Sequence, residues 1–183
     1  IGQSAILPVR FGTILKDRQE VMSVLRKGYF FLRNTLGEME DKIEFDLVCF
    51  WNEQKAAQMA YRKNSKVRNL QEKITRNGAV VSEDKMALGK LVADYLAGRR
   101  KKLSDQILKT LKEETVESYS HVLADVNMLF NQAFLVEKKK LEVFNQVLNQ
   151  LDSRFADLLN FRLVGPLPPY SFATVVVDVL DKK

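Results

Sequence analysis

Ile43-Glu44-Phe45-Asp46-Leu47-Val48-Cys49-Phe50-Trp51 is the stretch on which the fold turns. Ile43, Phe45, Leu47, Cys49 and Trp51 occupy every second position with Glu44 and Asp46 between them, so one face is apolar and the other is polar at its start. That is the alternation of a strand, and it follows a segment of different period. Upstream, Val21, Val24, Leu25, Tyr29, Leu32 and Leu36 recur at helical spacing, and Asp17 with Glu20 forms a capping box. This predicts an amphipathic helix with one buried stripe, on which Gly28 would let the helix approach a sheet. Further upstream, residues 5 to 14 are β-prone, and Pro8 restricts that run to an entry or edge strand.

Downstream, residues 126 to 136 repeat the strand pattern. Leu141, Phe144, Leu148, Leu151 and Phe155 predict a second helix, and Leu159, Phe161 and Leu163 a closing strand that Gly165 ends. Between these halves, residues 53 to 76 and 84 to 118 both read as helix, with Asn77-Gly78 as the turn of an antiparallel hairpin. Ala56, Ala60, Val67, Leu70 and Ile74 stripe the first arm; Leu88, Val92, Tyr95, Leu96, Leu103, Ile107 and Leu111 stripe the second. The expected order is strand, helix, strand, long insertion, strand, helix, strand. This is an α+β class with a ferredoxin-like βαβ…βαβ sheet, helices on one face, and a helical hairpin inserted at about 53–119.

The chain has 183 residues, 46% hydrophobic and 28% charged, enough for the core of one domain. No apolar run approaches the roughly 18 to 20 residues that cross a bilayer, and Ile1-Gly2-Gln3-Ser4 lacks a basic stretch ahead of an apolar one. A cytoplasmic protein with no transmembrane segment is expected. Charge is uneven: residues 53–112 hold 15 Lys and Arg against 6 Asp and Glu, while the rest of the chain holds 14 against 17. The candidate basic partner surface is Arg62 and Lys66 on the first arm with Arg99, Arg100, Lys101 and Lys102 on the second. Such a face can meet RNA, acidic lipid or an acidic protein, or simply keep a helix solvated. No RNA- or DNA-binding motif and no interleaved aromatic platform occurs, which argues against nucleic acid.

Catalytic chemistry finds little support. His121 is the lone histidine, and Cys49, the lone cysteine, belongs to the apolar face of a strand, where a structural thiol is expected. Glu44 and Asp46 fall on the outward face, where carboxylates solvate a strand. No Gly-rich phosphate loop, Gly-x-Ser-x-Gly elbow or His-Glu-x-x-His run is present, so neither an enzyme nor a cofactor or metal site is expected.

Two terminal blocks carry more information. Leu7-Pro8-Val9-Arg10-Phe11-Gly12-Thr13 and Val164-Gly165-Pro166-Leu167-Pro168-Pro169-Tyr170-Ser171-Phe172, with Asn131-Gln132-Ala133-Phe134-Leu135-Val136 between them, resemble the sequence blocks of the F/L family of gas vesicle proteins. In that family the first block reads proline, a hydrophobic residue, then Arg-Phe-Gly-Thr. The last reads Gly-Pro, a bulky residue, then Pro-Pro-Tyr-Ser-Phe; Leu167 stands where the family often has a larger aromatic. Family members usually carry a smaller α+β domain ahead of the first block. The expectation is therefore that residues 1–183 are a single α+β domain, mainly the family's C-terminal one, with the N-terminal domain absent.

Within the blocks, Phe11 is expected to be buried, with Arg10 tying down a carboxylate or loop carbonyls. Gly12 would permit a turn. Pro166, Pro168 and Pro169 should make a stiff, extended exit from the sheet, with Tyr170 and Phe172 packing back on the domain. The resemblance implies an accessory protein of gas vesicle assembly that binds the hydrophobic major shell protein, and other accessory proteins, as assembly chaperone, nucleation factor or minor shell component. Either the sheet face or edge or a groove along the helical arm would serve. The alternative is a basic helical-hairpin module for RNA or another acidic surface.

Overall fold

The computed structural model describes residues 5–77 and 82–174. The alternating stretch is β1 (Lys42–Trp51), at the interior of a four-stranded antiparallel sheet. Helix α1 (Arg18–Met39) precedes it; α2 (Glu53–Lys63), α3 (Ser65–Asn77) and α4 (Ser82–Lys112) follow, then β2 (Glu117–Ser120), β3 (Met128–Glu137), α5 (Leu141–Phe155) and β4 (Leu159–Leu167). The sheet order is β2-β3-β1-β4, with Phe45 opposite Phe134 and Cys49 opposite both Phe130 and Phe161.

That register stacks the apolar positions on one face. Ile43, Phe45, Leu47, Cys49 and Trp51 join Phe130, Phe134 and Val136 of β3 in one core with Ile107 and Leu111 of α4 and Phe144, Leu148 and Leu151 of α5. The Phe144 ring lies 5.6 Å from that of Phe45 and 5.8 Å from that of Phe134, so one aromatic from α5 bridges the two central strands. Burial raises the Cys49 thiol pKa, and the charge of Asp152 raises it further; this is an inert packing group.

Several expectations need correction. Residues 5–14 are not a strand; β-propensity there finds no partner ladder, and the segment's internal order is the turn that closes with Thr13 N–H on the Arg10 carbonyl at 3.1 Å. The second helical arm stops at Lys112 instead of running to 118, because Glu117–Ser120 pairs with β3 as a short edge strand, led in by Val116 N–H on the Leu135 carbonyl. The helical segment is thus the crossover between β1 and β2, and not an insertion into a domain already complete. From β1 onward, counting α2 to α4 as one connection, the element order is β-α-β-β-α-β. What fails is residues 5–14 as the first strand; the α+β class holds.

The first arm also breaks in two. Asn64 leaves the helix with extended backbone, and its Oδ1 accepts from the Lys66 and Val67 N–H groups, ending α2 and capping α3 with one side chain. Ala56, Ala60 and Val67 are buried as their stripe required. Gly78 of the expected turn lies outside the described residues. Asp17 does cap α1, accepting the Glu20 N–H at 2.9 Å, but only Gly28 and Met39 of this helix are buried. Val21, Leu25 and Tyr29, expected in the buried stripe, are exposed, and so are Met22, Phe30 and Phe31.

Candidate functional site

β4 does not end at Gly165. It runs on to Leu167, and opposite Glu44–Asp46 it takes one extra residue, since Glu44 faces Leu167 while Asp46 faces Val164. Gly165 makes this bulge possible twice over: its φ is +148°, and a Cβ there would sit 2.5 Å from Cδ1 of Phe45 and 3.0 Å from the Glu44 carbonyl oxygen. Pro166 continues the extended strand as expected, but Pro168 and Pro169 do not prolong it. The chain turns at once, with Tyr170 N–H on the Pro168 carbonyl at 2.7 Å and Ala173 N–H on the Pro169 carbonyl at 3.0 Å.

This turn brings Ser171 over the sheet face that points away from α4 and α5. Its backbone N–H donates to Glu44 Oε2 at 2.8 Å, and its hydroxyl donates to Oε1 at 2.7 Å. Both carboxylate oxygens are engaged, and Glu44, expected to be solvated, is only 1% exposed. Burial pushes its carboxyl pKa above the ordinary value; the two Ser171 hydrogen bonds pull it back, Asp46 adds a further upward push and His121 a downward one. Beside this clasp, His121 Nε2 stands 3.5 Å from Asp46 Oδ1, and the Tyr119 ring meets the His121 ring edge-on at 5.3 Å between centroids. Glu44, Asp46, Tyr119 and His121 thus gather on one face from two strands and the residue after β2. Local spacing had no way to join residues 127 positions apart.

The other expected site residues are distributed as follows. In the second block Pro169 is buried and Phe172 half-buried, whereas Tyr170 stays 58% exposed and does not pack back. In the first block Gly12 has φ +82°, as its turn requires, and the Thr13 hydroxyl donates to the Arg10 carbonyl at 2.7 Å. Phe11 is fully exposed instead of buried, and Arg10 is exposed and contributes its carbonyl to the turn rather than a guanidinium to a carboxylate. Arg62, Lys66, Arg99, Lys101 and Lys102 are exposed. Arg100 is half-buried and donates through Nη2 to the Val126 carbonyl, so it is partly structural; Arg99 lies 5.8 Å from the Tyr95 ring centroid. Among the described residues no group of three or more His, Cys, Asp or Glu could hold a metal ion, and no helix is long and apolar enough to cross a membrane.

These features define an α+β scaffold in which the last sequence block is folded onto the sheet by a serine–carboxylate clasp. The sequence matches the family described as gas vesicle synthesis protein GvpL/GvpF over residues 2–174, and the chain belongs to that family. It is 30% identical over 170 residues to gas vesicle protein F of Streptomyces sp. (strain CB03234), a match covering 92% of this chain and 70% of that protein. Gas vesicle protein F of Nostoc sp. (strain PCC 7120 / SAG 25.82 / UTEX 2576) is 24% identical over 178 residues, covering 95% of this chain and 71% of the relative. The crystal structure of GvpF from Anabaena sp. PCC7120 superposes with a TM-score of 0.71 at 23% identity, over 93% of this chain and 70% of that one. That of GvpF from Microcystis aeruginosa gives 0.67 at 22% identity, over 92% and 70%. These two likenesses establish the fold; membership of the family makes this a gas vesicle accessory protein.

Proposed function

We propose that the protein binds the hydrophobic major shell protein of the gas vesicle noncovalently during assembly, acting as chaperone, nucleation factor or minor shell component. It works by recognition, without bond-making chemistry, in the cytoplasm where vesicles form. The observation that supports this reading is the apolar surface left open along residues 6–31. Phe11 is 104% exposed, Ile14 90%, Phe30 76% and Phe31 69%, with Val9, Met22, Leu25 and Tyr29 exposed beside them. Isolated surface apolar groups are ordinary, but this density within one segment is what a partner-binding surface would present.

A subunit that polymerises into a wall enclosing gas has an aggregation-prone face to shield before assembly, and an apolar helix face can cover it reversibly. The test is light scattering of the purified shell protein on dilution from denaturant. Added protein is expected to suppress aggregation, and a variant combining Leu25→Ser, Tyr29→Ser and Phe30→Ser to lose that effect while keeping the wild-type melting temperature. Equal suppression by the variant would remove α1 from the account.

A further inference from the structure

At the β2 border of the sheet lies a groove that shell binding through α1 leaves unused. Arg100, Lys101 and Ser104 of α4, with Ser120 and Gln132 of the sheet, line an opening of about 340 Å³. Its walls are fixed: the Ser104 hydroxyl donates to the Leu129 carbonyl at 3.1 Å, tying α4 to β3, and the Ser120 hydroxyl donates to Gln132 Oε1 at 2.8 Å.

The edge of β2, which enters the groove at Ser120, and the charge of the α4 wall point to the same kind of occupant. The first supplies backbone polarity. Among the described residues β2 is an edge strand paired only with β3, and it contains no proline. The His121 N–H bonds the Asn131 carbonyl at 2.9 Å. Facing residues of an antiparallel ladder alternate between bonded and non-bonded pairs. Tyr119 and Glu117 therefore turn their main-chain groups toward β3, and Ser118 and Ser120 turn theirs to the open side. A strand edge of this kind is a template for another strand.

The second is positive. Lys101 is exposed and has no ion pair among the described residues; Arg100, half-buried, and the exposed Arg99 and Lys102 adjoin it. Asp105 is the one acid in the lining.

We propose that this groove takes an extended acidic segment of a partner protein, which adds a strand to the outer edge of β2 while its carboxylates meet Arg100 and Lys101. A polynucleotide would answer the cations but not the outward amides and carbonyls of Ser118 and Ser120, which are spaced for a peptide backbone. The assignment does not depend on where the shell protein binds.

The test uses the full chain and a fluorescein-labelled peptide of about ten residues alternating valine and glutamate, followed by anisotropy. The valine–lysine counterpart and oligouridine of similar length serve as comparisons. The valine–glutamate peptide is expected to bind and to slow hydrogen exchange of the Ser118 and Ser120 amides. Lys101→Glu, which alters charge alone, and Ser118→Pro, which removes an outward N–H without touching the β3 ladder, are each expected to weaken binding by about tenfold or more with the melting temperature unchanged. Equal binding of the lysine peptide would overturn the proposal, as would binding of oligouridine in place of the acidic peptide, or undiminished exchange at Ser118 and Ser120. The exchange and Lys101→Glu results decide it even where Ser118→Pro perturbs folding.

Discussion

Gly165 and Ser171 show how the last sequence block works at the scale of single residues. Any side chain at position 165 meets the Phe45 ring and the Glu44 carbonyl with φ already at +148°, so Gly165→Ala is expected to cost on the order of 1–3 kcal/mol from backbone strain alone, measured by urea denaturation. Ser171→Ala deletes a hydrogen bond to a carboxylate, expected to cost about 1.5–3 kcal/mol and to move the Glu44 titration further upward, readable by NMR. The clasp also has a signed pH dependence. Because Glu44 holds its proton to higher pH when folded, its favourable contribution is complete below the ordinary carboxylate value of 4.5 and is lost as pH rises through the raised native value. Glu44→Gln removes that slope, so the stability of the variant minus that of the wild type is expected to grow as pH rises from 4.5; a flat difference would contradict the assignment. The glycine, the serine and the prolines were visible as a motif, but their target was not. Alternation alone placed Glu44 in solvent, whereas the turn at Pro168–Ala173 brings Ser171 onto its carboxylate.

At the scale of elements, periodicity served best where one face is buried. β1, β3 and α5 emerged from their sequences because their apolar positions meet a single core, and β1 alternation survived intact to Cys49 and Trp51. It misjudged α1 for the same reason in reverse: Val21, Leu25 and Tyr29 have helical spacing whether they face a core of this chain or a partner. The two cases are separable by stability. Phe144→Ala is expected to cost about 3–5 kcal/mol, whereas Phe30→Ser is expected to change stability by less than about 0.5 kcal/mol, both read from denaturant midpoints. The short β2 escaped detection because four residues of Glu-Ser-Tyr-Ser carry no apolar alternation, and the helical pattern before them ran on past its end. Residues 5–14 had the propensity without a partner, and pairing is what makes a strand.

Across the whole molecule, structure and charge divide the chain into two kinds of surface. Exposed apolar side chains are concentrated in residues 6–31, while the basic excess lies on α2 to α4, which connect β1 to β2. This division was half legible: counting charges located the basic arm, but the apolar segment was read as core. It bears directly on the shell protein, since apolar recognition weakens little with salt, whereas contact through the arm would fall steeply. The most direct test is capture of the purified major gas vesicle shell protein by this chain at low and high salt, beside a version neutralised at Arg99, Lys101 and Lys102. Capture that persists through both changes and is lost with Leu25→Ser, Tyr29→Ser and Phe30→Ser combined is the expected result. Absence of capture at either salt, or capture abolished by neutralising the arm, would contradict binding of the shell protein through the apolar segment.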